Sequence, residues 1–384
     1  MDSATQLDWL NRTRRHLAEG STDADAAVAR VAVSRYSDPA FAAAEQAALF
    51  GGALPLAAGY SDEIRQPGDF VAHEHLGLPL LLLRAEDGGV RAYLNVCRHR
   101  GARLVTQACG TGKQGTGKRG IVCPYHAWSY DLEGRLRGLP LEKQFGAIDK
   151  AEHGLVRLPA DEAFGIVFVQ PDRHARIDLA SYLGALKADL EGFGLSNHVL
   201  YDRREIGVAA NWKLLVEGGL ETYHVRHAHA RTIAPMFNDT VQVVDALGPH
   251  ARLYFTKRAA RELGQQDLSG LSVRDYGNPL YFCFPNLILL IQPDHATALI
   301  MHPKGLDKSL VLGGALVPEA PASDKARAHW DKNVRIFWDA LDEDFQLAQS
   351  IQSGLRSGAN GHVSFGRFEQ ACAWFNAEID RRMA

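Results

Sequence analysis

The sequence predicts an α+β protein with two domains, a small all-β domain and a larger domain that mixes helices with strands. The first observation is length, because the chain has 384 residues and a domain usually holds about 100–200. The second is a series of short apolar runs separated by glycine-rich turns, which starts near residue 51 and is typical of antiparallel strands. The third is a helical repeat of apolar residues over residues 323–355.

Composition divides the chain into three segments. The first is rich in alanine and carries two helix-start signals, Thr22-Asp23 and Asp38-Pro39, so we expect helices over residues 24–33 and 40–49. The expected domains are N-terminal helices at 1–50 that pack on the larger domain, the β domain at 51–165 and the larger domain at 166–384.

The strands and helices follow from local patterns. In the β domain we expect strands at 69–73, 78–84, 90–96, 120–122 and 165–170. In the larger domain we expect a helix over most of 211–229, strands within 281–301 and at 310–317, and a long helix at 323–355.

Charge and composition exclude several classes of partner. With 42 basic and 45 acidic residues the net charge is −3, which gives no general attraction to nucleic acid or anionic membrane. Every strongly apolar run is far shorter than the ~20 residues that span a bilayer, and five cysteines make no disulfide framework. The first residues lack an apolar signal segment. We therefore expect a cytoplasmic protein without a nucleic-acid or membrane partner.

A GTGK repeat at residues 110–113 and 115–118 superficially fits a phosphate-binding loop. Arg119 stands where a magnesium-binding Ser or Thr would follow, so we interpret residues 107–120 as an exposed insertion. Cys109 within it is expected to be a spare thiol.

Two short-spaced pairs, Cys97-x-His99 and Cys123-x-x-His126, make the first metal pattern. Structural zinc is one interpretation. However, each pair contributes one Cys and one His, which favours a Rieske [2Fe–2S] centre, where two Cys hold one iron and two His hold the other.

The second pattern lies in residues 211–229. On a helix, Glu217, Glu221 and His224 share one face. His229 lies roughly 140° from His224 on an ideal helix, so the two can meet one ion only if the helix ends or bulges between them. His227 fits helical spacing better, and geometry alone favours it over His229.

A third ligand is expected from the long helix, which carries Asp339, Asp342, Glu343 and Asp344. Measured from the apolar stripe of that helix, Asp344 lies about 60° away and Asp342 about 100°, with the other two near the far side. We therefore favour Asp344, keep Asp342 as the alternative, and expect the remaining carboxylates to be solvated.

Together, the Cys/His loops and the motif E-x-x-H-x-x-x-x-H after Asn-Trp-Lys resemble the catalytic α subunit of Rieske non-heme iron oxygenases. Most members carry Asp at the position of Glu221. A Glu there resembles the quaternary-ammonium and carnitine monooxygenase-like branch of the family. The resemblance implies that His224, His229 and Asp344, eight residues before a Gln, bind mononuclear Fe(II). It also implies that Cys97, His99, Cys123 and His126 bind the [2Fe–2S] cluster, and that Glu221 links the iron site to His126 across a subunit interface.

The same resemblance implies an architecture and partners. A Rieske domain and a helix-grip (START/Bet v1-like) catalytic domain with a long C-terminal helix would assemble head-to-tail as a homotrimer, without a β subunit. Since the sequence shows no dinucleotide fingerprint, an NAD(P)H-dependent reductase of flavin or ferredoxin type would deliver electrons for O₂ activation.

Three functions remain open at this point. The first is hydroxylation or oxidative demethylation of a small quaternary-ammonium or N-methyl substrate, for which an aromatic cage should exist. The second is aromatic-ring hydroxylation or O-demethylation, and the third is an electron-transfer protein with a degenerate second site. Candidates for the cage are Tyr223, Phe237, Tyr254, Tyr276, Tyr281 and Trp338.

Overall fold

The computed structural model describes residues 1–52, 54–111 and 120–384. These residues form two compact units, Phe50–Tyr182 and the combination of Met1–Leu49 with Leu183–Ala384. Residues 112–119, which hold most of the GTGK repeat, lie outside the described residues. Among the described residues, no helix is both long enough and apolar enough to cross a membrane.

The N-terminal segment adds three helices and a strand to the larger unit. The Asp2 carboxylate caps the first helix by accepting a hydrogen bond from the Thr5 N–H at 2.7 Å. The buried Trp9 and Leu10 then hold this helix in a core that includes Val243. The elements are α1 (Ser3–Glu19), β1 (Ala29–Ala32), α2 (Ser34–Ser37) and α3 (Pro39–Glu45).

The helix predicted over residues 24–33 is wrong, because β1 lies there and pairs antiparallel with His362–Phe365. Asp23, expected at the start of that helix, instead accepts the N–H of Val244 at 2.9 Å and hydrogen-bonds His16. Pairing with a strand near the other end of the chain therefore overrides the helical propensity of the alanines. By contrast, Asp38 does cap α3, since it accepts the Ala40 N–H at 2.8 Å.

The smaller unit is built from short antiparallel strands, as predicted. They are β2 (Leu56–Tyr60), β3 (Asp69–His73), β4 (Leu80–Arg84), β5 (Val90–Leu94), β6 (Cys109–Thr111), β7 (Ile121–Val122), β8 (Ser129–Tyr130), β9 (Leu136–Gly138), β10 (Arg157–Leu158), β11 (Ala160–Ala163) and β12 (Ile166–Val169). Three sheets result, with strand orders β10-β5-β4-β3-β6, β11-β12-β2 and β7-β8-β9. Leu81, Leu83, Trp128 and Tyr130 belong to the core of this unit. Cys109 is exposed on β6.

The larger unit alternates helices with long strands. Its elements are α4 (Leu179–Leu183), which starts in the smaller unit, α5 (Ala185–Glu191), β13 (Val199–Val208), α6 (Trp212–Gly219), α7 (Val225–Ala228), β14 (Phe237–Leu247), β15 (His250–Lys257), α8 (Val273–Tyr276), β16 (Gly277–Cys283), β17 (Leu287–Ile291), β18 (Ala296–Pro303), β19 (Ser309–Val317), α9 (Asp324–Arg356), β20 (His362–Phe365) and α10 (Gln370–Met383).

A seven-stranded antiparallel sheet forms the body of this unit, in the order β13-β19-β18-β17-β16-β15-β14. The long helix α9 packs on it at Gly313 of β19, where an added Cβ would clash with the Trp338 ring. The Trp338 indole N–H donates to Asp202 of β13 at 2.5 Å, which fixes the helix against the sheet edge. The predicted α+β class and the long C-terminal helix are therefore confirmed.

Candidate metal centre and cavity

A single helical turn lies between the two histidines of the second motif. Asn211 caps the start of α6, because its side chain accepts the Lys213 N–H at 3.1 Å, and the helix ends at Gly219. After a break, α7 spans only Val225–Ala228, so that His224 precedes it and His229 follows it. Because the chain leaves the helix on both sides of this turn, the five-residue spacing brings the two imidazoles together.

Three side chains converge on one point. The Nε2 atoms of His224 and His229 are 3.2 Å apart, and Asp344 Oδ1 lies 3.0 Å from the Nε2 of His229 and 3.6 Å from that of His224. Within the described residues, this is the one group of three or more His, Cys, Asp or Glu side chains whose ligand atoms are close enough to share a metal ion. Asp342, the alternative, is exposed, and so is His227.

The outward nitrogen of each imidazole is held by a carboxylate. Nδ1 of His224 hydrogen-bonds Glu221, and Nδ1 of His229 hydrogen-bonds Glu343 at 2.8 Å. Glu343 also accepts from the Thr232 hydroxyl at 2.7 Å. The expectation that Glu343 is solvated is therefore wrong, because the segment after α7 packs beside α9 and brings its polar groups to that face.

These bonds set the chemistry of the three-residue group. With Nδ1 donating to a carboxylate, each neutral imidazole presents its Nε2 lone pair to the shared point. Burial opposes protonation of both rings, but hydrogen bonds to Glu221 and Asp344 and their charges raise the pKa of His224 and His229. Two convergent lone pairs and a carboxylate oxygen can hold a cation between them. Two His and one carboxylate are the ligand set typical of non-heme Fe(II), with open positions for other ligands.

Glu217, although it shares the helix face, does not join this group. It is buried, and it accepts hydrogen bonds from the Tyr36 hydroxyl at 2.7 Å and the Asn376 amide at 2.8 Å. Burial raises the pKa of Glu217 to about 7. These contacts give Glu217 a structural, hydrogen-bonded role.

A cavity of about 500 Å³ opens beside the three-residue group, with His224, His229 and Asp344 in its wall. Most of its lining is apolar. The aromatic residues in the lining are Phe237, Phe255, Phe337 and Phe345. The sequence identified Phe337 and Phe345 only as part of an apolar helical stripe, and nothing singled out Phe255.

Of the six aromatic candidates for a cage, only Phe237 lines the cavity. Tyr223 is 62% exposed. Tyr254 and Tyr281 are in the core, where their hydroxyls donate to the Val273 carbonyl and to Asp189. Tyr276 and Trp338 are outside the lining as well. Sequence could not separate these groups, because strand register decides which face of the sheet each ring occupies.

In the smaller unit, the two Cys/His loops have matching backbones. Cys97 donates its N–H to the Ala102 carbonyl at 2.8 Å and accepts from the Gly101 N–H at 3.0 Å. Cys123 forms the same pair of bonds with Trp128 and Ala127, at the same distances. Gly101 and Ala127, four residues after each Cys, both have positive φ angles of 76° and 55°. The sequence therefore builds one loop geometry twice.

The ligands in these loops are segregated by burial. Both cysteines are buried, and Cys97 Sγ lies 3.4 Å from the Tyr130 hydroxyl, which also accepts the Arg98 N–H. Burial raises the pKa of Cys123. The rings of His99 and His126 lie side by side, with centroids 4.8 Å apart, toward the surface. A thiol pair inside and an imidazole pair outside suit the asymmetric ligand set of a Rieske cluster.

Comparisons with known proteins identify the two domains that carry these residues. Residues 193–384 match the family described as ring hydroxylating alpha subunit (catalytic domain), and residues 55–158 match the Rieske [2Fe-2S] domain. The glycine betaine monooxygenase oxygenase subunit of Chromohalobacter salexigens is 30% identical over 365 residues, covering 84% of this chain and 79% of that protein. The carnitine monooxygenase oxygenase subunit of Acinetobacter baumannii is 27% identical, covering 80% of each.

Solved structures show the same fold. A quaternary ammonium Rieske monooxygenase in complex with its substrate L-carnitine has a TM-score of 0.79 at 22% identity, covering 93% of this chain and 96% of that chain. Naphthalene 1,2-dioxygenase from Rhodococcus sp. has a TM-score of 0.75 at 19% identity, covering 99% and 97%. The chain therefore belongs to the Rieske oxygenases, as an oxidoreductase subunit that combines a Rieske [2Fe–2S] domain with a ring-hydroxylating-type catalytic domain for mononuclear iron.

Proposed function

We propose that this chain hydroxylates or oxidatively demethylates a small quaternary-ammonium or N-methyl substrate, using O₂ and electrons from a separate NAD(P)H-dependent reductase. The observation that carries the proposal is the cavity beside His224, His229 and Asp344, whose aromatic lining is entirely phenylalanine. Phenylalanine faces attract quaternary ammonium groups without offering a competing hydrogen bond. Relatives named glycine betaine and carnitine monooxygenases support the same substrate class.

The residues have separable roles. A bound Rieske cluster supplies electrons one at a time, and a bound Fe(II) with three protein ligands activates dioxygen beside the substrate. Cys97 and Cys123 would hold one iron of the cluster, and His99 and His126 the other. Glu221 and Glu343 fix the tautomers of the two iron-binding imidazoles, while the apolar wall excludes water and holds the substrate.

We also infer that electrons pass between subunits of a homotrimer. In this arrangement Glu221 would connect the iron site to His126 of the partner subunit. One carboxylate oxygen of Glu221 hydrogen-bonds the ring Nδ1 of His224, and the other accepts the backbone N–H of His224. These two bonds fix Glu221 in position for such a link. A solved quaternary ammonium Rieske monooxygenase with this fold is described as using inter-subunit electron transfer.

The experiment is low-temperature EPR of the Fe(II)-loaded protein with its cluster oxidised and with nitric oxide as an O₂ mimic. Glycine betaine, carnitine and aromatic acids are added in turn, and formaldehyde release is assayed with a reductase. We expect a high-spin iron–nitrosyl signal that quaternary amines perturb. A response to aromatic acids alone would favour ring hydroxylation or O-demethylation instead.

Matched histidine variants test the iron site itself. His224→Ala should abolish the nitrosyl signal and turnover, because it removes one of three ligands, while the cluster spectrum stays unchanged. His227→Ala, an exposed histidine on the same helical turn, should retain both. Turnover that survives in His224→Ala would refute the proposed ligand set, and absence of any nitrosyl signal in the parent would favour an electron carrier.

A further inference from the structure

The cavity is longer than its metal end requires. Asp344 and Asn333 both line it and both lie on α9, which at ~1.5 Å rise per residue places them about 16 Å apart along the helix. The residues of α9 that line the cavity between them are apolar: Ile336, Phe337, Ala340 and Leu341. One end of the cavity therefore holds the metal ligands, and an apolar passage leads away from it.

The other end of the cavity is polar. It is formed by Lys257 at the end of β15, Asn278 on β16, and Gln292 and His295 in the turn between β17 and β18. Arg274 joins these strands from outside the lining, since its Nε donates to the Gln292 carbonyl and its own carbonyl accepts from Lys257 Nζ, both at 2.8 Å.

This polar end lies beside the start of α9. Asp294, next to His295, hydrogen-bonds His295 Nδ1 at 2.8 Å and His329 Nε2 at 2.7 Å. His329 in turn lies 3.3 Å from the Asn333 amide. The turn between β17 and β18 is thus tied to the end of α9 that is remote from Asp344, which puts the polar groups and the metal ligands at opposite ends.

Three polar atoms at this end make no hydrogen bond to any described residue. They are Asn278 Oδ1, Gln292 Oε1 and His295 Nε2. Asn278 is only 6% exposed and His295 only 3%. Buried polar atoms nearly always have a partner. As placed, all three atoms are acceptors, since His295 Nδ1 donates to Asp294. Rotating either amide by 180° replaces its oxygen at the cavity with an NH₂ donor.

Lys257 adds a positive charge that lacks a close counter-ion among the described residues. One of its three N–H donors is used by the Arg274 carbonyl. Burial lowers the pKa of Lys257, and the carboxylates of Asp275 and Asp294 act on it only from a distance. A half-buried ammonium gains most from a directly bonded anion. The amides of Asn278 and Gln292 can rotate to present NH₂ groups to the same anion. The Thr297 hydroxyl, which accepts from Gln292 Nε2 at 3.2 Å, would then donate to Gln292 Oε1 instead.

We propose that Lys257, Asn278 and Gln292 form a subsite for a carboxylate on the substrate, opposite the methyl group that is oxidised. This inference rests on the proposed function, and it extends it to a class: an ω-trimethylammonio carboxylate with a long apolar spacer. Glycine betaine and carnitine are too short to reach both ends of the cavity.

The test measures dissociation constants from the iron–nitrosyl EPR signal of the holoenzyme. The probes are glycine betaine, γ-butyrobetaine, trimethylammoniohexanoate and trimethylammonio-octanoate, each compared with the alkyltrimethylammonium of equal length. We expect affinity to rise with length in the carboxylate series. We also expect the carboxylate to tighten binding of the longest probe by about tenfold, since one charge-assisted bond is worth at least that factor.

Two lysine variants make the assignment specific. The carboxylate advantage is the ratio by which a carboxylate probe binds more tightly than the alkyltrimethylammonium of equal length. Lys257→Met should remove this advantage and leave the dissociation constants of the alkyltrimethylammonium probes unchanged. Lys257→Arg should restore part of the advantage. Lys332→Met, an exposed lysine on α9 next to Asn333, should keep the advantage in full. Cluster absorbance and iron content confirm that each variant is folded.

Several outcomes overturn the subsite. These are a carboxylate advantage that persists in Lys257→Met, an equal loss for both probe series, or equal affinity for a hydroxyl-terminated probe. Failure of the proposed function looks different. In that case the carbon isosteres, with a tert-butyl group in place of trimethylammonium, bind as tightly as the cations, while the effect of Lys257→Met on the carboxylates is still measurable.

Discussion

Glu343 and Asp339 lie one helical turn apart on α9 but in different surroundings. Glu343 accepts hydrogen bonds from His229 and Thr232, whereas Asp339 is exposed. A carboxylate on the outer nitrogen of a ligating imidazole fixes its tautomer and increases its basicity, and its loss typically costs 10–100-fold in metal affinity. We therefore group Glu343 functionally with the proposed iron ligands, although its oxygens bond His229 Nδ1 and Thr232 rather than the point where His224, His229 and Asp344 converge.

This contact predicts a graded effect on iron retention. Glu343→Ala should weaken Fe(II) binding roughly 10–100-fold, and Glu343→Gln should weaken it less, because the amide oxygen still accepts from His229. Fe(II) affinity is measured by competition with a chelator. Asp339→Ala is the matched control and should bind iron as the parent does. Equal affinities for Glu343→Ala and Asp339→Ala would contradict the assigned role.

Glu217 predicts a pH dependence of stability rather than of metal binding. Burial raises its pKa to about 7, above the ordinary 4.5. Between these values the folded protein binds more protons than the unfolded chain, so stability falls as pH rises. The free energy of unfolding falls by up to about 3 kcal/mol by the pH at which Glu217 ionises in the folded protein.

Melting temperatures from pH 4.5 to 8 measure this effect. Glu217→Gln keeps an acceptor for Tyr36 and Asn376 but cannot ionise. The melting temperature of the variant should rise relative to that of the parent protein as pH increases toward 7. Above pH 7 the difference between the two melting temperatures should stay constant. Glu319→Gln, at an exposed position, should follow the parent at every pH. A Glu217→Gln curve parallel to the parent would show that the carboxyl does not titrate in this window.

At the scale of elements, local patterns predicted most of the fold. The apolar period of residues 323–355 matches α9 (Asp324–Arg356), and the run at 69–73 coincides with β3. Both signals lie within one continuous stretch of chain. The failure at β1 has the opposite cause, because its partner strand His362–Phe365 lies near the far end of the sequence. Local propensity carries no information about such a pairing.

At the site, too, local sequence patterns predicted some features, whereas packing between distant segments determined the others. Helix arithmetic on α9 favoured Asp344, which does lie beside His224 and His229. The same arithmetic put Glu343 on the solvent side, since angles around one helix ignore what packs next to it. The polar end of the cavity was beyond prediction, because Lys257 and Asn278 come from different strands and meet only through the register of the sheet.

The proposed trimer raises the question of why each chain carries both a cluster site and an iron site. If electrons pass between subunits, each chain gives its electrons to a neighbour's iron rather than to its own. A chain with only an intact cluster and a chain with only an intact iron site would then complement each other. Intramolecular transfer forbids such complementation, because neither chain contains both centres.

Co-expression of two variants distinguishes these cases. His126→Ala removes a proposed cluster ligand and His224→Ala a proposed iron ligand, so each is expected to be inactive alone. In random trimers from equal amounts, half of the iron sites are intact and half of those face an intact cluster, which predicts about a quarter of parent turnover per chain. Co-expression of His224→Ala with the double variant His126→Ala/His224→Ala is the control and should stay inactive, since no intact iron site exists. Absence of activity from the complementary pair, in particles whose mass by light scattering is that of a trimer, would mean that electrons stay within one chain.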